Sequence, residues 1–392
     1  LPNPRSLISC YPPTELSNLI SKNDYNKLRV YVDLKNVMTS LFVEDVANEI
    51  VVNSDTMEFM DSSIFQSVVL YASYWKDYAN ERNLKAEIYF CTDIGRSNYH
   101  LNISKDYKCR RVISNTAIPD NDIKLKEIRD KNFQLSEIVS NKIKNVYFFA
   151  LKFLESDFLP YYLIDRKFNN EPKTLHIITS NDKDLYQNLN LPNTVMIYKN
   201  RGTKYMYMKD SILKAYTKVQ KGSTKKYAEN LEMLSKLDTN HFPAMMSIVG
   251  DDGDDVKGVD RIGPMTVMKM FSNKHLVNEL IGSIDELNER VHNGGKFFHE
   301  DKVPLKNMSN SWQKAVIHND LVTNAFKLIS FEQLCLWMER TGATTYIKYI
   351  NDVLKKEGVK TIPSAKSFLS SLEMLEDNYL REDNVNNLFG ES

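Results

Sequence analysis

Along the first half of the chain, short apolar runs alternate with longer stretches of helical periodicity. Arg29-Val30-Tyr31-Val32 leads into Asp33, and Ile88-Tyr89-Phe90-Cys91-Thr92 leads into Asp93. Leu175-His176-Ile177-Ile178-Thr179 leads into Ser180-Asn181-Asp182-Lys183-Asp184. Such short runs, rich in β-branched and aromatic residues, predict strands, and intervening stretches such as Ile64–Arg82 predict helices. The alternation predicts an α/β domain built on a parallel sheet. Ligands of such sheets bind beyond the carboxyl ends of the strands, where Asp33, Asp93, Asp182 and Asp184 would all stand. One aspartate after a strand is an ordinary cap or turn residue; three strands that deliver four are a stronger signal.

A further pair of acids, Glu155 and Asp157, interrupts the otherwise apolar stretch from Val146 to Ile164. Buried carboxylates are costly unless paired or metal-bound. At the start of a helix both could reach one ion, whereas on an exposed face they would be ordinary polar residues. The segment Gly250-Asp251-Asp252-Gly253-Asp254-Asp255-Val256-Lys257-Gly258-Val259-Asp260-Arg261-Ile262-Gly263-Pro264 puts four carboxylates into five residues and then turns into a glycine-bracketed hairpin. Carboxylates that close repel one another unless a hard cation such as Mg2+ holds them. Glycines permit close approach of a phosphate, and Pro264 suits the first turn of a helix. An EF-hand loop counted from Asp251 would need Glu where Ile262 stands, so calcium of that type is excluded.

Composition narrows the class. The chain of 392 residues is 42% hydrophobic and 26% charged, enough for a large core and for two domains, or one with a helical extension. Cys10, Cys91, Cys109 and Cys335 form no C-x-x-C pair, which argues against zinc and a disulfide framework and fits a reducing cytoplasm. No apolar run is long enough to span a membrane. Starting at Leu1, without a signal pattern, the chain reads as trimmed. Net charge is zero, but it is unevenly spread. Between Lys199 and Lys226 stand nine basic residues (Lys199, Arg201, Lys204, Lys209, Lys214, Lys218, Lys221, Lys225, Lys226) against Asp210 alone, and between Arg96 and Lys144 eleven basic residues face six acids. Clusters of this kind suit phosphate neutralisation, and equally suit solvated helix faces.

Taken in order, Asp33-Leu34-Lys35-Asn36, Asp93-Ile94-Gly95-Arg96-Ser97, Tyr107-Lys108-Cys109-Arg110-Arg111, Glu155-Ser156-Asp157, Ser180-Asn181-Asp182-Lys183-Asp184 and the Gly250–Gly263 segment resemble the 5′-nuclease superfamily. That superfamily comprises flap endonucleases, polymerase-associated 5′→3′ exonucleases and phage exonucleases of the RNase H type. The resemblance covers about residues 28 to 275. It implies a PIN-like α/β core (28–275), a helical arch over 97–144 and a helix-three-turn-helix over 242–272, with an N-terminal extension (1–27) and a C-terminal helical domain (276–392) outside it. It further implies a Mg2+-dependent, structure-specific 5′-nuclease acting in replication on DNA with a 5′ flap or end, and on RNA–DNA hybrids.

The cofactors implied are two Mg2+, with Mn2+ as a substitute. Asp33, Asp93, Glu155 and Asp157 match the ligands of one ion group, and Asp182, Asp184, Asp251 and Asp254 those of the other. Asp252 and Asp255 match no ligand. Lys108 and Arg111 match the basic pair that contacts the scissile phosphate, with Arg96 nearby, while His100 stands where arginine is frequent. Tyr107 is placed to stack on a base. Lys257, Gly258, Arg261, Gly263 and Lys269 would grip the duplex backbone, with K+ bridging to phosphate. One departure is Phe158, which stands where the family often carries a further acid. The arch is expected to order on substrate. A sliding clamp or single-strand-binding protein is an implied partner, although Leu388-Phe389 is too short a match to separate a clamp-binding tail from a plain terminus. A monomer in the cytoplasm, of a bacterial host if the chain is phage-encoded, completes the expectation. The alternatives are a PIN-type ribonuclease, disfavoured by the hairpin segment, and a non-catalytic DNA-binding scaffold, favoured only by Phe158.

Overall fold

The computed structural model describes residues 13–34, 68–110, 137, 140, 142–200, 203–217, 224–299, 302–341, 343–362, 364 and 367. Six strands form one sheet in the order β3-β2-β1-β4-β5-β6: β1 (Lys27–Asp33), β2 (Lys85–Ile94), β3 (Val146–Lys152), β4 (Thr174–Thr179), β5 (Thr194–Asn200) and β6 (Thr203–Tyr207). The first five run parallel, and β6 closes the edge antiparallel to β5. This is the expected α/β class with a parallel sheet.

A parallel sheet must be covered on both faces, so its strands are apolar almost throughout. Period-2 alternation then divides their side chains between two cores. Val30, Val32, Ile88, Phe90, Phe148 and Ile177 point into one core, shared with Leu16 and Ile20 of helix α1 (Thr14–Ser21) and with Trp75 of the helix over 68–80, α2. Tyr31, Tyr89, Phe149 and Ile178 point into the other.

The second core is larger. It receives helices α3 (Asn98–Ile103), α4 (Leu159–Tyr162), α5 (Ile212–Thr217), α6 (Thr224–Ser235), α7 (Phe242–Val249), α8 (Pro264–Phe271), α9 (Lys274–Leu280), α10 (Ile284–His292), α11 (Asn310–Ile317), α12 (Asn319–Ile329), α13 (Phe331–Arg340) and α14 (Thr344–Leu354). Phe271, Val291, Trp312, Phe326 and Met338 belong to the same cluster as Tyr31 and Phe149. The helices beyond residue 276 therefore have no core of their own among the described residues; they lie on the sheet-side cluster, α12 against α7. The stretch Phe331–Glu357 holds two helices, α13 with Thr341 as its C-cap and α14 from Thr344. Apart from Ser364 and Ser367, the stretch Ser364–Leu380 lies outside the described residues, as does Leu388-Phe389.

The strand order places β1 at the centre, with β2 and β3 to one side and β4 and β5 to the other. The order reverses between β1 and β4, so a crevice opens beyond their carboxyl ends, the usual ligand position in open α/β sheets. Asp33 ends β1, and Ser180 and Asp182 follow β4.

Candidate active site

A serine hydroxyl joins the two sides of this crevice. Ser180 Oγ donates to Asp33 Oδ2 at 2.6 Å and accepts from the Asp182 backbone N–H at 3.0 Å. Asp182 then caps the 3-10 helix Lys183–Asn190, its Oδ1 accepting from the Asp184 N–H at 3.0 Å. This cap turns Asp184 inward. Its Oδ1 is buried and has no hydrogen-bond partner. An orphaned buried carboxylate oxygen is expensive unless something cationic meets it.

The hairpin segment brings the complementary acids. Gly250 leaves α7 at φ +79°, and Asp251 and Val256 exchange backbone hydrogen bonds at 2.8 Å, closing a tight loop around the 3-10 turn Asp252–Asp254. Asp251 Oδ1 caps that turn through the Gly253 N–H at 2.9 Å and takes the Lys183 ammonium at 3.0 Å. Carboxylate oxygens of Asp184, Asp251 and Asp254 all lie within 4.8 Å of one another. Among the described residues no other group of three potential metal ligands is drawn together in this way.

The loop after β3 supplies a second half. Glu155 Oε1 takes the Lys108 ammonium at 2.5 Å, and the same ammonium lies 3.3 Å from Asp254 Oδ2. Tyr107 donates its hydroxyl to Glu155 at 2.8 Å and to Asp254 at 3.2 Å. Lys108 is held for this at φ 53°, its N–H donating to the Asp254 carbonyl at 3.0 Å. One ammonium and one phenol thus tie the Glu155 side to the Asp254 side.

The electrostatics follow from burial and crowding. Asp157 is pushed well above the usual carboxylate range by burial and then by Asp33 and Asp182. Asp184 is raised in the same way, by burial and by Asp182, Asp251 and Asp254. Burial alone would raise Glu155 too, but His100, Lys108 and the Tyr107 hydroxyl hold it below its ordinary value. Lys108 is kept firmly protonated, the pull of Glu155 and Asp254 outweighing its burial. Lys108 and Lys183 set positive charge against these carboxylates.

The residue types fit a divalent metal. The donor set is all oxygen, which hard cations require, and Asp184, one of the three converging carboxylates, keeps a buried Oδ1 without a hydrogen-bond partner. Asp184, Asp251 and Asp254 are the residues able to hold one ion. Asp157 lies close enough to Asp33, Asp182 and Glu155 to feel their charge. Asp93, near the end of β2, is half-buried at the same sheet edge and is not one of the three converging oxygens.

Other expected residues are placed as follows. The Arg96 guanidinium donates to the Tyr107 carbonyl, so it braces the segment that carries Lys108. Arg111 lies outside the described residues, as does most of the 97–144 arch. His100 is buried, its ring hydrogen-bonded to Ser97 Oγ at 2.7 Å and the Leu328 carbonyl at 3.1 Å. The stacking role expected of Tyr107 is corrected. Its side chain is only 4% exposed, with the ring against His100 at 4.5 Å and the hydroxyl on two carboxylates, leaving no face for a base.

Gly258 is corrected in its reason. A Cβ there would fall 1.9 Å from the Val249 carbonyl, so this glycine serves the packing of the hairpin on α7 rather than an approach of phosphate. Gly263 does have open space around it and is the N-cap of α8, with Pro264 in the first turn. Lys257, Arg261 and Lys269 are exposed on the same module. Asp255 pairs with Arg110, and Asp252 is exposed. Phe158, where an acid is frequent, is 1% exposed and packs on Tyr162. Within the basic stretch 199–226, Lys209 and Lys214 are exposed; Arg201, Lys218 and Lys221 lie outside the described residues.

Sequence reasoning assigned no role to Ser180 and Lys183, though both stand inside the quoted Ser-Asn-Asp-Lys-Asp motif. A lysine between two acids was the available signal for Lys183. A serine that bridges two strand ends has none.

No protein-family model matches the sequence, and no curated protein matches it significantly. Solved structures do match. A structure of the D15 protein of bacteriophage T5 co-crystallised with metal ions aligns over 84% of this chain and 99% of its own, with 15% identity and a TM-score of 0.54. A T5 D15 flap endonuclease pseudo-enzyme–product complex with DNA and metal ions gives 15% identity and a TM-score of 0.55 over 84% and 98% of the two chains. The T5 5′-exonuclease with bound zinc gives 15% and 0.55 over 84% and 99%. This chain shares its fold with these T5 D15 5′-exonuclease structures.

Proposed function

We propose that the protein is a metal-dependent 5′-nuclease that hydrolyses phosphodiesters of DNA, and of RNA in hybrids, at single-strand-to-duplex junctions. The observation that carries the reading is the convergence of Asp184, Asp251 and Asp254 at the sheet crevice, with Asp184 Oδ1 left without a partner. The acids would hold two divalent cations, Mg2+ first and Mn2+ as a substitute. When bound, the ions supply a nucleophilic water and neutralise charge on the phosphate and on the leaving oxygen.

The chain's own residues do the rest. Carboxylates hold a cation in their deprotonated form, so metal affinity would rise with pH. Lys108, between Glu155 and Asp254, would stabilise the charge that develops on the phosphate. Tyr107 keeps Glu155 and Asp254 at a fixed separation through its hydroxyl. Arg96 braces the Lys108 segment, with Arg111 expected beside it. Lys257, Arg261, Lys269 and the open Gly263 N-cap form the surface for the duplex backbone, with K+ as a candidate bridge, so recognition is of shape rather than sequence.

A second reading, a DNA-binding scaffold, rests on Phe158. A position at which the resembled pattern often has an acid is committed here to the apolar core. The deciding experiment incubates a 5′-end-labelled flap duplex with the protein in Mg2+, Mn2+ or EDTA, beside Asp184→Asn. Cleavage near the junction that needs the metal, and drops by more than about 100-fold in the variant, supports the nuclease; this exceeds the loss expected for a residue behind the ligands. Tight binding without cleavage in either metal overturns it in favour of the scaffold.

A further inference from the structure

Phe153 is the only phenylalanine among the described residues that is more than half exposed, at 53%. It also stands at φ 58°, a left-handed conformation that a bulky side chain rarely adopts. Strain of this kind persists only where the surroundings enforce it, and it gathers at functional sites. The surroundings here do enforce it. The Phe153 N–H donates to the Ile94 carbonyl at 2.8 Å, and its carbonyl accepts from the Asn98 N–H at 2.9 Å. From the other side, Tyr346 of α14 donates its hydroxyl to the Lys152 carbonyl at 3.0 Å. A seat has been made for the ring as well. Gly95 stands at φ +81°, and a Cβ there would lie 2.9 Å from Phe153 Cδ1. One side of the ring rests where Gly95 has no side chain, and the rest faces solvent.

The position in the chain gives this ring a use. Phe153 is hydrogen-bonded to the residue after Asp93 and lies two residues before Glu155, at the carboxyl edge of the sheet. In the chain, the exposed Lys152 precedes it and the exposed Arg96 follows Gly95. An exposed aromatic ring beside a phosphate-handling site is a device with which proteins hold single-stranded nucleic acid, because every base has a face to stack.

We infer that Phe153 is a base-stacking residue, positioning an unpaired nucleobase of the substrate next to the carboxylate cluster. The inference rests on the nuclease reading and deepens it. It also returns to this loop the stacking contact that the burial of Tyr107 removes from the arch base. Since left-handed φ suits glycine, Phe153→Gly deletes the ring while relieving the backbone, and its fold should survive.

The test measures binding of a fluorescent duplex with a 5′ single-stranded arm in Ca2+, without turnover, for the parent protein, Phe153→Gly and Phe153→Trp. Each is titrated against the intact arm and against arms with one abasic site at successive positions around the junction, and thermal melting checks the fold. Phe153→Gly should bind the intact arm about 5- to 150-fold more weakly, the range for removing one stacking platform. Phe153→Trp should bind like the parent. At one position, the abasic site should weaken the parent by the same factor and the glycine variant no further. Parent-like binding by Phe153→Gly, or equal weakening at every abasic position, overturns the inference alone; a ring that meets a protein partner gives the first of these. A parent protein that binds no DNA overturns the nuclease reading together with it.

Discussion

His176 shows what a single buried group does to this protein's stability. Burial, and then the Arg29 guanidinium, push its pKa down from 6.5 to about 3, while the ring shares a 3.0 Å hydrogen bond with the Tyr31 hydroxyl. A depressed pKa means that the unfolded chain binds the proton first on acidification. Stability is therefore full above about 6.5 and is lost as pH falls toward about 3, at about 1.4 kcal/mol per pH unit in that window. Denaturant melts of the parent and of His176→Gln from pH 7 to 4 should diverge with that slope, the variant having the flatter acid limb. Parallel limbs would remove His176 from the account. Nearby, Arg29 is 3% exposed and pairs with Glu87 at 2.6 Å and Glu171 at 2.8 Å while lying over the Phe168 ring at 3.6 Å. Arg29→Ala removes one of the two cations on Glu87, which keeps Lys27 at 3.2 Å, and should cost about 3 kcal/mol, the low end for breaking a buried pair, measured by urea unfolding. The acids of the site were legible in the sequence because metal chemistry dictates their residue type. The direction of Tyr107 was not, because it depends on His100 and on carboxylates far away in the chain. Phe153 was not legible either: nothing in its neighbours announces a left-handed backbone.

At the scale of elements, the strands that end in aspartate were readable from apolar, β-branched runs. β5 and β6 were not, since Thr194–Tyr207 merges into a basic stretch that reads equally well as a solvated face. The hairpin between α7 and α8 was legible through its glycines, but those glycines have different duties. Gly258 touches the backbone of Val249, and no side-chain rearrangement can make room for a methyl group there. Gly258→Ala should destabilise the hairpin by at least about 3 kcal/mol, the upper end of overpacking costs, because the obstacle is main chain. Gly263→Ala meets nothing within 4 Å and should leave melting unchanged. Thermal melts of the two variants side by side check the contrast; similar shifts would mean that the packing at Gly258 is looser than it stands.

For the whole molecule, the sequence suggested a boundary near residue 275, and composition gave no reason to look further. The core crosses it. Val291, Trp312, Phe326 and Met338 share one apolar cluster with Tyr31 and Phe149, and Tyr349 of α14 accepts a hydrogen bond from the Ala150 N–H at 2.8 Å. Such links between distant parts of a chain carry no local pattern, which is why periodicity could not report them. A chain ending at residue 275 should therefore expose this cluster. It should lose a cooperative thermal transition and bind a hydrophobic dye, whereas a self-sufficient core would melt sharply. Among the described residues no helix is long and apolar enough to cross a membrane.

Among the described residues the central strand is also the earliest one made. β1 pairs on one side with β2, and on the other with β4, which begins about 140 residues after β1 ends. At a synthesis rate of roughly 5–20 residues per second, one edge of β1 waits roughly 7–30 seconds for its partner. During that interval an apolar strand with unpaired N–H and C=O groups is free to pair with the same strand of another nascent chain. Slower initiation or a lower growth temperature should thus raise the soluble yield more than any substitution at the site.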